Sequence, residues 1–358
     1  MALYSVITGS GSYLPTHIVT NEAFHGTTFL DKDGSGFPKS SEEIVERFEQ
    51  ITTIKERRYV TDDLLCSDIA TIAAKAAIAD AGINVEDIHH IIVAHNWGDI
   101  KSDNNRSDQV PTIASRVKHN LGIENPDCIP YDLPFGCPGW VQGLIHANYF
   151  LRAGDGTCAL VIGAETLSRV VDPHDRDKML YADGAGAVIL QARESDSPVG
   201  IVTYKTRSDT KDHAYLLWQQ KSFNPDMPDD ELYLKMNGHT LYKYALGHVP
   251  EVVKHTIDQA GIGLGDISKV LIHQANAKMD EAILQRLFKL YHSKDVPAQL
   301  MPLTVGWLGN SSVATVPTLY DLIMKGQLEG QHMSPGDWII IASVGAGMNI
   351  NSIVYKMP

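Results

Sequence analysis

The chain has 358 residues, of which 44% are apolar and 20% charged. That composition is globular, and the length suits two domains or one large fold in two halves, with enough core to dispense with a disulfide or metal staple. Against 30 basic residues stand 43 acidic ones, a net charge of −13. This balance argues against nucleic acid, and no apolar run reaches the roughly 18 residues of a membrane helix.

In chain order, the N-terminus MALYSVITG lacks the basic region and long apolar stretch of a signal peptide. The cysteines, at 66, 128, 137 and 158, form no CxxC pair. A reduced, cytoplasmic protein without metal or cofactor is expected. Gly9-Ser10-Gly11-Ser12-Tyr13-Leu14-Pro15 imitates a dinucleotide loop, but Leu14 replaces the third glycine and Pro15 interrupts any helix. A tight structural turn is expected there instead. Residues 24–42 form an irregular excursion. A helix is predicted over Ser67–Ala81, ended by Gly82, and a buried strand over Ile91–Val93. A helix follows over Cys137–Leu151, then a strand over Cys158–Ile162. ESDSPV at 194–199 suits a linker, and 205–239 is a long polar segment of the kind that is often functional. Beyond it the pattern returns. Val249–Ala260 reads as a helix ended by Gly261, Val270–Ile272 as a strand, Ser311–Met324 as a helix and Ile339–Ser343 as a strand.

The return is a repeat. AGINVEDIHHIIV at 81–93 and AGIGLGDISKVLI at 260–272 coincide at an offset of 179 residues, half the chain. A second echo keeps the order, from the helix after Cys137 to GDGTCALVIGAE, and from the helix after Asn310 to PGDWIIIASVGAG. Helices alternating with fully apolar strands predict an α/β fold with buried sheets. Two similar halves are expected, 1–196 and 197–358.

Three residues stand at chemically useful places in this plan. Cys137 precedes Pro138 and a helix, so the helix N-terminus is expected to favour its thiolate. His273 ends the strand Val270–Ile272, and carboxyl ends of such strands face the binding crevice. Asn310 is expected to cap the helix that echoes the Cys137 helix, so the two residues come from equivalent ends of the halves. Cys, His and Asn describe nucleophilic thiol catalysis, and the turn Gly345-Ala346-Gly347 offers unhindered N–H groups for an oxyanion. Papain-like cysteine hydrolases use the same three residue types; the duplicated α/β pattern argues against that reading.

The sequence resembles the β-ketoacyl-acyl-carrier-protein synthase III enzymes of the thiolase superfamily. The matching features are ITGSGSYLP at 7–15, IKERR at 54–58, the nucleophile block at 132–140, YADGAGAVIL at 181–190, HQAN at 273–276, GNSSVATVP at 309–317 and SVGAGM at 343–348. They span nearly the whole chain in the family's order. The resemblance implies a thiolase-like duplicated αβαβα five-layer fold and a homodimer. It implies that Cys137 takes an acyl group from a thioester. His273 and Asn310 would hold the carbonyl of a malonyl-type thioester while it loses CO2. The backbone N–H groups of Cys137 and Ala346 would bind the oxyanion. The substrates would be carried on acyl carrier protein or coenzyme A.

Departures from the family pattern refine this. Where members that use coenzyme A carry Trp and Arg, this chain has Arg47 and Ile51, so carrier-bound donors gain weight. Lys278, Arg286 and Lys289 can share one helix face for docking an acidic carrier. The polar segment His95–Thr112 is long, and Val110 within it is expected to reach the partner's acyl pocket across the dimer. These features suggest a specialised member, such as a ketosynthase forming dialkylresorcinol or cyclohexanedione rings. Two further alternatives are an acyltransferase to an alcohol or amine and a non-catalytic partner subunit of a condensing complex.

Overall fold

Two mixed sheets organise the chain, described here over residues 1–358 from a computed structural model. The first half runs β1 (Ala2–Tyr13), β2 (His17–Thr20), α1 (Ser41–Thr52), β3 (Glu56–Tyr59), α2 (Cys66–Ala81), β4 (His90–Ala94), α3 (Ile113–Leu121), β5 (Ile129–Leu133), α4 (Gly139–Ala153), β6 (Cys158–Thr166) and β7 (Asp183–Ser195). The second runs β8 (Gly200–Ser208), α5 (Thr210–His213), β9 (Leu217–Gln220), β10 (Tyr233–Met236), α6 (Gly238–Ala260), β11 (Ile267–Ile272), α7 (Ala277–Leu290), α8 (Val305–Leu308), α9 (Thr315–Met324), β12 (Trp338–Gly345) and β13 (Asn349–Lys356).

The first sheet has the order β1-β7-β6-β4-β5 and the second β11-β12-β13-β8. Read from the other edge, β8-β13-β12-β11 repeats β1-β7-β6-β4 with the same antiparallel, antiparallel and parallel pairings. The second half has no counterpart of β5; beside β11 there is instead a loop bond from the Val270 N–H to the Leu300 carbonyl. Strand period two sorts the side chains into layers. Ile91 and Val93 of β4 face α2 and α3, whereas Ile92 faces α4 and α9. On the second sheet Val270 and Ile340 face α6 and α7, whereas Leu271 and Ile341 face the same central pair. The order is thus helices, sheet, α4 with α9, sheet, helices. That is the five-layer α/β arrangement of the thiolase-like fold.

Several sequence expectations shift. Gly9 and Gly11 lie inside β1 rather than in a turn, because α2 crosses there: a Cβ on either would sit 2.4 Å from a backbone nitrogen of Ala81 or Ala77. The helix expected from Val249 begins at Gly238, with Pro250 inside it. The polar segment 205–239 contains the short hairpin of β9 and β10. The turn between the halves falls between Ser195 and Gly200. No helix is long and apolar enough to cross a membrane.

Candidate active site

The loop after β5 delivers Cys137. Gly136 turns with φ 69°, Pro138 caps α4, and Gly345 at the end of β12 presses on the turn. A Cβ on Gly345 would lie 2.7 Å from the Cys137 nitrogen and 2.8 Å from the Pro138 ring. A Cβ on Gly136 would lie 2.8 Å from the Ala346 nitrogen. The Gly136–Cys137 turn and the Ala346 peptide are therefore neighbours, as an oxyanion hole built from Cys137 and Ala346 requires. The Cys137 N–H bonds to no backbone carbonyl, and it favours the negative form of its own sulfur. The next peptide is held as well, where Asn349 Nδ2 donates to the Ala346 carbonyl at 3.0 Å.

The second half brings its own loop to the same place. Asn310 is buried, and its main chain bridges to Tyr181, with the Ala182 N–H donating to the Asn310 carbonyl at 2.9 Å. It does not cap α9 as expected. A 3-10 turn over Ser312–Ala314 intervenes, and Asn310 Oδ1 instead accepts from the Ser312 N–H at 2.9 Å. Ser312 holds φ at 52°, a conformation that costs a residue with a Cβ. Its hydroxyl donates to Cys137 Sγ at 3.3 Å. His273 follows β11 and is 3% exposed, its Nδ1 without a partner. The Ser312 main chain is the one group that favours its protonated form. Cys137 thus meets Ser312, and Ser312 meets Asn310 and His273.

The electrostatics correct one expectation. The Cys137 thiol is walled in by protein, which pushes its pKa up to about 11; the Ser312 hydrogen bond opposes this and nearby Glu165 adds to it. Burial thus outweighs the helix N-terminus, and the thiol rests neutral at pH 7. Burial also lowers the His273 pKa to about 4, so its imidazole is neutral as well.

A cavity of about 180 Å³ opens at Cys137, walled by Trp97, Leu167, Tyr181, Leu217, Trp218 and Leu234, with Asn96, Ser312 and Ala346 beside the nucleophile. The β9–β10 hairpin supplies Leu217, Trp218 and Leu234, so the polar segment reaches the site. A larger hollow of about 570 Å³ beside α7 contains none of the three candidate catalytic residues.

Other expected residues lie on the surface. Val110 is 87% exposed and does not line the cavity of its own chain. Lys278, Arg286 and Lys289 are exposed along α7; Lys278 Nζ donates to the Gln50 carbonyl at 2.5 Å and Arg286 Nη1 to the Leu246 carbonyl at 3.3 Å. Arg47 and Ile51 line a surface hollow with Phe37 and Arg176. Sequence reading missed Ser312, Asn96 and Glu165. Glu165 left a signal as the one charge in the otherwise buried strand CALVIGAET. Nothing in GNSSVATVP separates Ser312 from Ser311.

Comparisons with known proteins show the chain's family and fold. Residues 131–210 match the family described as 3-oxoacyl-[acyl-carrier-protein (ACP)] synthase III, and residues 257–357 match its C-terminal part. The chain is 34% identical to a beta-ketoacyl-[acyl-carrier-protein] synthase III of Rhodospirillum centenum over 360 residues, covering 99% of this chain and 100% of that one. It is 32% identical to the enzyme of that name from Bradyrhizobium diazoefficiens, covering 98% of both chains. Among solved structures, the synthase III of Thermus thermophilus superposes with a TM-score of 0.78 at 28% identity, covering 99% of each chain. That of Pseudomonas aeruginosa gives 0.79 at 25% identity, covering 99% of this chain and 98% of that one. With its duplicated five-layer fold and relatives 32–34% identical over nearly its whole length, the chain belongs to the β-ketoacyl-[acyl-carrier-protein] synthase III family.

Proposed function

We propose that this protein is a condensing enzyme that joins an acyl group, carried on Cys137, to a malonyl- or β-ketoacyl-type thioester in fatty-acid or related lipid biosynthesis. The observation that carries the reading is the meeting of the Cys137 loop with the Asn310–Ser312 loop at one cavity, with His273 against the Ser312 main chain.

In the first step Cys137 Sγ attacks the thioester carbonyl of the donor. The N–H groups of Cys137 and Ala346 take up the oxyanion, and the carrier thiol leaves with the proton that Cys137 gives up. In the second step the malonyl-type unit loses CO2. Asn310 and His273 receive the enolate oxygen; a neutral imidazole keeps one N–H to donate. The enolate carbon attacks the acyl carbonyl, a carbon–carbon bond forms, and the bond to Sγ breaks. Cys137 leaves as a thiolate and takes a proton from solvent to restore the resting thiol. Because the resting thiol is neutral, its proton must leave as the donor binds.

The exposed cations Lys278, Arg286 and Lys289 on α7 would dock an acidic carrier protein. A homodimer would place Val110 of one protomer at the acyl pocket of its partner. With Arg47 and Ile51 where other members grip coenzyme A, carrier-bound donors are favoured. The test is intact-protein mass after mixing with acyl donors on coenzyme A and on a carrier, with Cys137→Ala as control. The expected result is an acyl-sized increment that the control lacks, discharged by a malonyl acceptor with release of CO2. No increment from any donor sinks the reading; an increment discharged by an alcohol or amine, without CO2, replaces condensation with simple acyl transfer.

A further inference from the structure

We propose that Asn96 is a positioning residue for acyl transfer: its side-chain amide fixes both the Gly136–Cys137 turn and the Ser312 hydroxyl that faces the nucleophile. The inference rests on the reading of Cys137 as the acylated residue. Asn96 lies just beyond β4, at the carboxyl edge of the first sheet, and lines the cavity beside Cys137.

Both ends of its amide are engaged. Oδ1 accepts from the Gly136 N–H at 3.0 Å. Only the oxygen can do this, so the bond fixes the orientation of the amide. Nδ2 then donates to the Glu165 carboxyl and, at 3.3 Å, to Ser312 Oγ. Glu165 is 2% exposed, at the end of β6. Its carboxyl has no cation within salt-bridge distance, and burial holds its pKa well above the ordinary range, with Asn96 opposing that shift. A buried carboxyl in this position is an anchor for an amide.

The consequence reaches both halves. The Gly136 N–H held by Asn96 belongs to the peptide just before the one that carries the Cys137 N–H, the first oxyanion donor. The Ser312 hydroxyl takes a hydrogen bond from Asn96 and gives one to Cys137 Sγ. A donor chain therefore runs from Asn96 Nδ2 through Ser312 Oγ to the sulfur, and it favours the negative sulfur that the reaction needs. Asn96 belongs to neither loop and bonds to both. The other ionisable group acting on the sulfur is Glu165 from β6; the sulfur in turn raises the pKa of Tyr181, ahead of β7.

The test uses the full chain with Asn96→Ala and Asn96→Asp. Two quantities are read: the rate of acyl-Cys137 formation by intact mass, and the pH midpoint of Cys137 alkylation by iodoacetamide. Asn96→Ala is expected to slow acylation about 10- to 100-fold, as for loss of one oxyanion donor's support. Asn96→Asp keeps the volume and the acceptor for Gly136 but loses both donations and adds a carboxyl. It is expected to acylate faster than Asn96→Ala and to raise the alkylation midpoint by about half a pH unit or more. Wild-type acylation rates with an unshifted midpoint in both variants overturn the inference. If Asn96→Ala does not fold, Asn96→Asp decides by the same two readouts. Alkylation needs no acyl donor, so a wild-type protein that refuses every donor defeats the functional reading while the midpoint still judges Asn96.

Discussion

Ahead of α4 the first half presents a thiol and an N–H bonded to no carbonyl; ahead of α9 the second half presents an amide and a hydroxyl. The two loops occupy equivalent places in sheets of equivalent strand order, and they are held by different means. The Cys137 turn is squeezed, with Gly345 against the Cys137 nitrogen and Ala346 against Gly136. The Asn310 loop is tied instead, through the main-chain bridge to Tyr181 and the bond from the Ser312 N–H. Duplication supplies two facing loops, and under the proposed function one carries the nucleophile while the other carries groups to bind a second thioester. On that proposal each loop serves its own half-reaction.

Asn310→Ala tests that division most severely. It removes a donor for the enolate and leaves the Cys137 turn alone. Acyl-Cys137 formation is expected within about threefold of wild type, while CO2 release from a malonyl donor falls about 100-fold or more. Equal loss of both half-reactions, with the fold intact by circular dichroism, would break the comparison. Gly345→Ala tests the squeezed side. Its Cβ would meet the Cys137 nitrogen at 2.7 Å, and backbone atoms have little room to yield. Acylation is expected to fall about tenfold or more through the displaced oxyanion donor, and the melting temperature to drop by several degrees. Wild-type acylation kinetics in this variant would show that the turn tolerates movement.

How much of this was legible follows from local and non-local causes. The 179-residue repeat, the apolar strands and the helix after Pro138 are written in periodicity, so the layers and the placing of Cys137 and His273 could be read. The cap assigned to Asn310 failed because a 3-10 turn is inserted, and nothing local distinguishes Ser311 from Ser312. The resting state of Cys137 failed for a different reason: the helix N-terminus is a local feature, whereas the burial that outweighs it is assembled from side chains far along the chain, from Trp97 to Leu234. Asn96 was invisible because its partners are 40, 69 and 216 residues away. The reach of the β9–β10 hairpin into the cavity was hidden by the polar character of the surrounding segment.

The burial that sets the site's protonation has a measurable sign. His273 has a folded pKa near 4 against an ordinary value near 6.5. Between those values the unfolded chain takes up a proton that the folded chain refuses. This imidazole therefore costs nothing above about pH 6.5, and its penalty grows as pH falls towards 4, reaching up to roughly 3 kcal/mol. Asp183, raised to about 6 by burial, works in the opposite direction, so the His273 term is read as a difference. Urea unfolding of wild type and His273→Gln is expected to show wild type losing stability relative to the variant from pH 6.5 downward. A constant gap, or an imidazole that titrates near 6.5 by NMR, would mean that the site is wetter than its packing.

The smallest effect sharpens the comparison of the outer helices. α2 contains no proline, while its counterpart α6 carries Pro250 in its interior. Pro250 has no N–H for the Leu246 carbonyl, four residues earlier, and Arg286 Nη1 donates there from α7 at 3.3 Å. Arg286 therefore carries a structural load that its exposed neighbour Lys289 does not. Arg286→Ala is expected to cost about 1 kcal/mol of stability, and Lys289→Ala close to none. In a Pro250→Ala background the helix regains its own donor, so the cost of Arg286→Ala should shrink towards zero. Chemical denaturation of the four combinations decides. An undiminished cost in the Pro250→Ala background would detach Arg286 from the helix defect and leave its charge, offered with Lys278 and Lys289 to an acidic carrier, as its whole contribution.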